Sequence, residues 1–172
     1  TLKMSTVTGN ITIAPKLSNS NATTLGVPTE SLAQALSSWV ITAGTGENQA
    51  DVFYSDEQTA LGTSSSQSYD LSGVLNDGIC NSADFVTVKA IIITASASNV
   101  SKVTLDSTVA NSFNTYVTVD TELDCAPGGS IVLIAPETGW AVTNATADLL
   151  NIKNADASNT ASFKIVILGT SA

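Results

Sequence analysis

The run Phe85-Val86-Thr87-Val88-Lys89-Ala90-Ile91-Ile92-Ile93-Thr94-Ala95 decides the fold. Its first half alternates, with Phe85, Thr87 and Lys89 on one face and Val86, Val88 and Ala90 on the other. Ile91, Ile92 and Ile93 then break the alternation, so both faces become apolar. A strand with two apolar faces belongs at the centre of a sheet covered above and below. Lys89 is the single charge in the run and is expected to snorkel toward the sheet edge.

Two further runs share this character. Ser130 to Ala135 and Phe163 to Leu168 are both apolar on two faces, and they are the expected sheet neighbours of the central run. Around them lie shorter pieces: Trp39 to Thr42, Asp51 to Ser55, Gln58 to Leu61, Tyr69 to Ser72, Lys102 to Asp106, Tyr116 to Asp120 continuing through Cys125, and Leu149 to Ile152. Turn residues separate them, including Gly44-Thr45-Gly46, Asn76-Asp77-Gly78 and Pro127-Gly128-Gly129, while Thr63 to Ser68 reads as a Ser-rich connection. About nine or ten short strands separated by turns are the signature of an all-β sandwich or barrel. Two four-stranded sheets place a jelly roll ahead of an immunoglobulin-like sandwich.

One helix is expected, near residues 29–37. Pro28 precedes it, Thr29 is positioned to cap it, and Leu32 and Leu36 fall on one face. Two turns are too short to stand alone, so the Leu face must dock on the sandwich or on another subunit. Residues 1–28 read as a polar N-terminal arm and 29–172 as one β-sandwich domain. Within the arm, Val7 to Ile13 alternates briefly, as an edge strand does.

Composition narrows the function. The 172 residues are 43% hydrophobic but only 12% charged, and small neutral residues take the place of charges. That balance suits strands and polar turns better than helices. The net charge of −9 repels phosphate, and all six cations are Lys, so neither nucleic acid nor bidentate anion recognition is expected. His is absent, which removes Ser-His-Asp and Cys-His nucleophiles and His-ligated zinc. The longest apolar run, Ile131 to Ala135, has five residues, far short of a membrane span, and no signal peptide is expected in Thr1 to Ser20. Cys80 and Cys125 share no metal-binding spacing; buried free thiols are expected ahead of a disulfide.

Three constellations bear on chemistry. Asp120, Glu122 and Asp124 alternate on one face and are the candidates for holding Ca²⁺, against the plainer reading of a solvated strand face. Trp39, Trp140, Tyr54, Tyr69 and Tyr116 offer a sugar-stacking platform, against the plainer reading of core or interface aromatics. The glycine turns lack the strand, glycine loop and helix of a phosphate cradle. No catalytic residue and no cofactor are expected.

Several motifs occur in a fixed order from about Trp39 onward: Thr45-Gly46-x-x-Gln49-Ala50-Asp51, Asp70-Leu71-Ser72-Gly73, Lys89-Ala90-Ile91-Ile92, Pro127-Gly128-Gly129, Ala135-Pro136-x-x-Gly139-Trp140-Ala141-Val142-Thr143 and Asp148-Leu149-Leu150. Their succession resembles a group of small bacteriophage virion proteins, compact β-sandwiches that belong to the particle. The resemblance implies a non-enzymatic capsid or capsid-decorating subunit, assembled in the host cytoplasm and located in the virion. The acidic charge and the lack of a basic arm favour the outer shell. Such a subunit is expected to self-associate symmetrically, a trimer being favoured, and to contact other capsid proteins. Leu32, Leu36, Trp39 and Trp140 are the interface candidates. The alternative is a carbohydrate- or receptor-binding module of a fibre or cell surface.

Overall fold

The structure is a computed structural model that describes residues 7–13, 16–20, 29–33, 37–73, 75–76, 82–118 and 120–172. The strands, in chain order, are β1 (Gly9–Ile13), β2 (Lys16–Ser20), β3 (Thr29–Ala33), β4 (Ser37–Ala43), β5 (Gln49–Ala50), β6 (Val52–Leu61), β7 (Ser65–Asp70) and β8 (Leu75–Asn76). They continue with β9 (Ser82–Ala83), β10 (Thr87–Ala95), β11 (Val103–Asp106), β12 (Glu122–Cys125), β13 (Ser130–Ile134), β14 (Trp140–Ala141), β15 (Leu149–Asn154) and β16 (Ala161–Thr170). The fold is an all-β sandwich.

The run quoted at the outset becomes β10, flanked on both sides as its two apolar faces require. The first sheet runs β13-β10-β16-β6, with the short β14 also pairing β10; the second runs β12-β11-β15-β7. All pairings within these two sheets are antiparallel. The connections nest: β6 pairs β16, β7 pairs β15, β10 pairs β13 and β11 pairs β12, as in one long folded hairpin. The β10–β16 and β11–β15 ladders then close each sheet.

Between the sheets lies one core. Ile91, Ile93 and Ala95 of β10 meet Phe163, Ile165 and Ile167 of β16, and Leu105, Leu150 and Ile152 of the second sheet, all essentially inaccessible to water. Phe85, Phe113 and Tyr69 fill the ends. Each such side chain contributes roughly 1.5–3 kcal/mol by leaving water, which makes this layer the main stabilising element.

The alternate residues of β10 explain why its second face is apolar too. Ala90 packs with Leu168, Trp39, Ile41 and Ala50 in a second, smaller cluster. This cluster lies beneath a third layer, the sheet β1-β4-β5, whose inner side carries Trp39 and Ile41 with Ile11 packed against them. Thus residues 9–13, inside the stretch read as an arm, pair with β4 and help cover the sandwich.

Five local expectations are corrected. Residues 29–33 are strand β3, paired with β2 so that Leu32 lies opposite Leu17, and there is no helix among the described residues; residues 34–36, Leu36 included, lie outside them. Thr29 and Ser31 are weak helix formers, and two isolated turns cannot hold a helix against a cross-strand partner. The Ser-rich connection is strand from Ser65 onward, because β7 is a sheet edge where short hydroxyl side chains face water. Asp51 to Ser55 and Gln58 to Leu61 are not two strands: Val52–Leu61 is continuous. Tyr116 to Thr118 and Asp120 do not extend β12; they belong to the loop after β11, where Asp120 sits at φ 62°, and Val119 lies outside the described residues. Finally, β13 is only partly buried, because it is an edge strand: Ile131 and Leu133 pack on the main core and Ile134 on the smaller cluster, while Val132 remains 38% exposed.

Candidate functional site

The outer faces of the two sheets are where function can reside, and they differ in kind. On the first sheet the outward ladder positions form rows. Ile134, Ala90, Leu168 and Phe53 are opposite one another in register, as are Val132, Ile92, Val166 and Ser55. Ala90 and Leu168 are sealed by the third layer, whereas Val132 and Phe53 stay 38% and 39% exposed. On the layer itself, Ile13 is 38% and Val40 65% exposed.

Lys89 joins this layer to the sandwich. Its ladder is interrupted by a bulge between Val88 and Ala90, which re-aims the side chain. The residue is 3% exposed, so the expected snorkelling to an edge does not occur. Its ammonium donates to three backbone carbonyls: Gly46 at 2.9 Å, Pro136 at 3.0 Å and Glu137 at 2.7 Å. Three protons meet three acceptors, so the buried charge is fully satisfied. Burial holds its pKa below the ordinary lysine value, with nearby Glu47 opposing. The bonds continue outward, since the Asn48 amide donates to the Pro136 carbonyl at 2.9 Å and the Trp39 indole donates to the Asn48 carbonyl at 3.1 Å. Gly139 completes the clasp: it sits at φ 66°, and a Cβ there would lie 2.7 Å from the Val88 carbonyl oxygen.

The second sheet's outer face is polar apart from Leu149. Asp124, Thr104, Lys153 and Ser66 form one row in register, and Glu122, Asp106, Asn151 and Ser68 another. Lys102 binds Asp124 at 2.5 Å, and Thr104 donates to the same carboxylate at 2.9 Å; the two together hold its pKa below the carboxylate range. Lys153 binds Glu122 at 2.6 Å, which raises the lysine's pKa, and approaches Asp106 at 3.8 Å. Asp106 is buried, and its Oδ1 accepts from the amide and hydroxyl of Thr108 at 2.8 and 2.6 Å. Beside it a shallow groove of about 410 Å³ opens between the starts of β7 and the ends of β11 and β15.

The residues singled out in the sequence are placed as follows. Glu122 and Asp124 share the polar face, but each is engaged by a lysine, and Asp120 projects from the neighbouring loop into solvent. The three carboxylates are not brought together, and among the described residues no three metal-ligating side chains converge. Trp39 is 3% exposed under the third layer. Trp140 is half-buried against the core and stacks edge-on to Tyr116 at 6.3 Å. Tyr54 and Tyr69 form a similar pair at 5.8 Å, with the Tyr69 hydroxyl donating to Asp56 at 2.9 Å. The aromatics therefore point inward and build no stacking platform. Cys125 is buried, while Cys80 lies outside the described residues. Leu32 occupies β3, and nothing places it on a helix face. No family model, curated protein or solved structure matches the chain.

The Lys89 clasp is the feature that sequence reading missed. Its signal was present: a lone charge inside a strand apolar on both faces must find fixed partners, because burying it unpaired is prohibitive. The partners are carbonyls, which carry no side-chain signature.

Proposed function

We propose that this chain is a non-enzymatic structural subunit of a bacteriophage particle, a capsid or capsid-decorating protein that self-associates on the outside of the shell. In this reading the nested order of eight strands, four in each sheet with the short β14 added to the first, is a jelly roll. The observation that carries the self-association reading is the distribution of exposed apolar side chains. Of the six exposed large apolar side chains among the described residues, Ile13, Val40, Phe53 and Val132 belong to the first sheet and its covering layer, and Val86 and Val100 lie in the loops at either end of β10. The outward ladder positions of the second sheet are polar except Leu149. Apolar side chains gathered on one side of a domain mark association surfaces. The tryptophans expected at that interface are used inside the subunit, so Phe53, Val132 and Val40 take their place as contacts. The charge of −9 supports an outer position, away from packaged nucleic acid.

Quantitative mass spectrometry of purified particles tests the reading. The expected result is this chain at a fixed, high copy number in integer ratio to another shell component. Its absence from particles, or a copy number varying between preparations, overturns the proposal.

A further inference from the structure

The geometry points to a second, independent site: the groove beside Asp106 binds a neutral polyhydroxylated ligand, a glycan, through the Asp106–Lys153 pair. This inference rests on the polar face alone and stands whether or not the chain is a virion subunit.

The groove is lined by Asp106 and Lys153, by Ser64, Ser65 and Ser66 at the start of β7, and by Val109. Its volume of about 410 Å³ falls within the range of small-molecule sites. The side chain of Asp106 is 5% exposed, and its two oxygens are not equivalent. Oδ1 is held by two donors from Thr108. Oδ2 accepts no hydrogen bond from the described residues, and the Lys153 ammonium stands off at 3.8 Å. That separation is too long for a direct hydrogen bond and leaves room for an atom that bonds to both.

Charge selects the ligand class. An anion would meet Asp106 and Glu122, two carboxylates against one lysine. A divalent cation would meet the Lys153 ammonium and a single free carboxylate oxygen, well below the oxygen count a hard cation takes. A flat aromatic ligand finds no aromatic wall among the lining residues. A neutral diol fits both groups at once: one hydroxyl donates to Asp106 Oδ2, its neighbour accepts from Lys153 Nζ, and the serine hydroxyls serve as either. The Asp106 carboxylate is fixed in place by Thr108, so little order is lost when the ligand arrives. A shallow groove without aromatic stacking gives weak single-site affinity, and repetition of the chain on one assembly would multiply it.

Two-dimensional ¹H–¹⁵N spectra of the full chain, titrated through the millimolar range with the methyl glycosides of glucose, galactose, mannose and N-acetylglucosamine, test this. The expected result is saturable shifts centred on Ser64–Ser66 and Asn154 with at least one glycoside. Asp106→Asn and Lys153→Met should each weaken that binding about tenfold or more. Lys153 is partly exposed, so its variant keeps the test open if Asp106→Asn fails to fold. Parallel titrations use calcium chloride and sodium phosphate. No response to any glycoside, shifts centred elsewhere, unchanged binding by Lys153→Met, or saturation of these resonances only by calcium or phosphate overturns the inference.

Discussion

The two outer faces of the sandwich are built on the same alternation and are finished in opposite ways. On the first sheet two outward rows are mainly apolar, and a third layer is laid over part of them, locked by a buried ammonium and an indole hydrogen bond. The outward row Ser130, Thr94, Lys164 and Glu57 is polar. On the second sheet the outward residues are polar apart from Leu149, and they satisfy one another across strands without any covering layer. A β-strand in a sandwich has one face committed to the core; the other is free to carry association or recognition. Here the first face carries apolar contact and the second polar contact. Their energetics should separate accordingly, because burying apolar area and closing a carbonyl cradle are worth several times more than a surface ion pair.

The strongest way to break the comparison is Trp39→Ala. Removing a buried indole should cost about 3–5 kcal/mol. The loss should be concentrated in the third layer, with amide exchange in β1 and β4 accelerating far more than in β10. Hydrogen-exchange mass spectrometry reads this directly; uniform acceleration would mean that the layer and the sandwich unfold as one unit.

Next in size is Lys89→Met, which keeps the aliphatic stem and removes the donor. Leaving three carbonyls without their partner should cost roughly 3 kcal/mol in chemical denaturation. It should also expose the Asn48 amide to exchange, since the loop from Gly44 to Gln49 loses its anchor. A change below about 1 kcal/mol would mean water replaces the ammonium at little cost.

The shared core gives an intermediate effect that belongs to neither face. Burial and the Asp56 carboxylate raise the pKa of Tyr69, and burial and Asp106 raise that of Tyr116. A phenol whose pKa is higher in the folded state contributes stability that is complete below pH 10, the unfolded value, and declines above it, because only the unfolded chain then loses the proton. For Tyr69 the slope should reach about 1.4 kcal/mol per pH unit. Unfolding free energies from denaturation should therefore fall more steeply with pH above 10 for the native chain than for Tyr69→Phe.

The smallest effect is expected on the polar face. Lys102 and Asp124 are about half exposed, so Lys102→Ala should cost at most about 1 kcal/mol, and less in high salt. A loss comparable to that of Trp39→Ala would show that the second face is as tightly built as the first.

Much of this was legible in the sequence, for physical reasons. Ile91 to Ile93 could only satisfy two apolar faces at a sheet centre, and β10 lies there between β13 and β16. The inward set of β16 followed from simple alternation. What escaped notice depended on neighbours distant in sequence. Residues 29–33 form a strand because residues 16–20 lie opposite them, a pairing no local propensity announces. Ser65 to Ser68 form a strand because β15 offers a ladder, which overrides a loop-like composition. Glu122 and Asp124 looked available to a cation, yet Lys153 of β15 and Lys102, just before β11, reach them. Trp39, expected at an interface with another subunit, is buried within this one because the layer over it includes β1, a strand from the stretch read as a separate arm.

Sedimentation velocity of the full chain across a wide concentration range tests the central claim, that the apolar side of the sandwich carries self-association. The account predicts a closed oligomer for the native chain, dissociation to monomer in the double variant Phe53→Lys with Val132→Lys, and an unchanged oligomer in Lys102→Ala. A native chain that stays monomeric at every concentration, or a double variant that assembles as the native chain does, would contradict it.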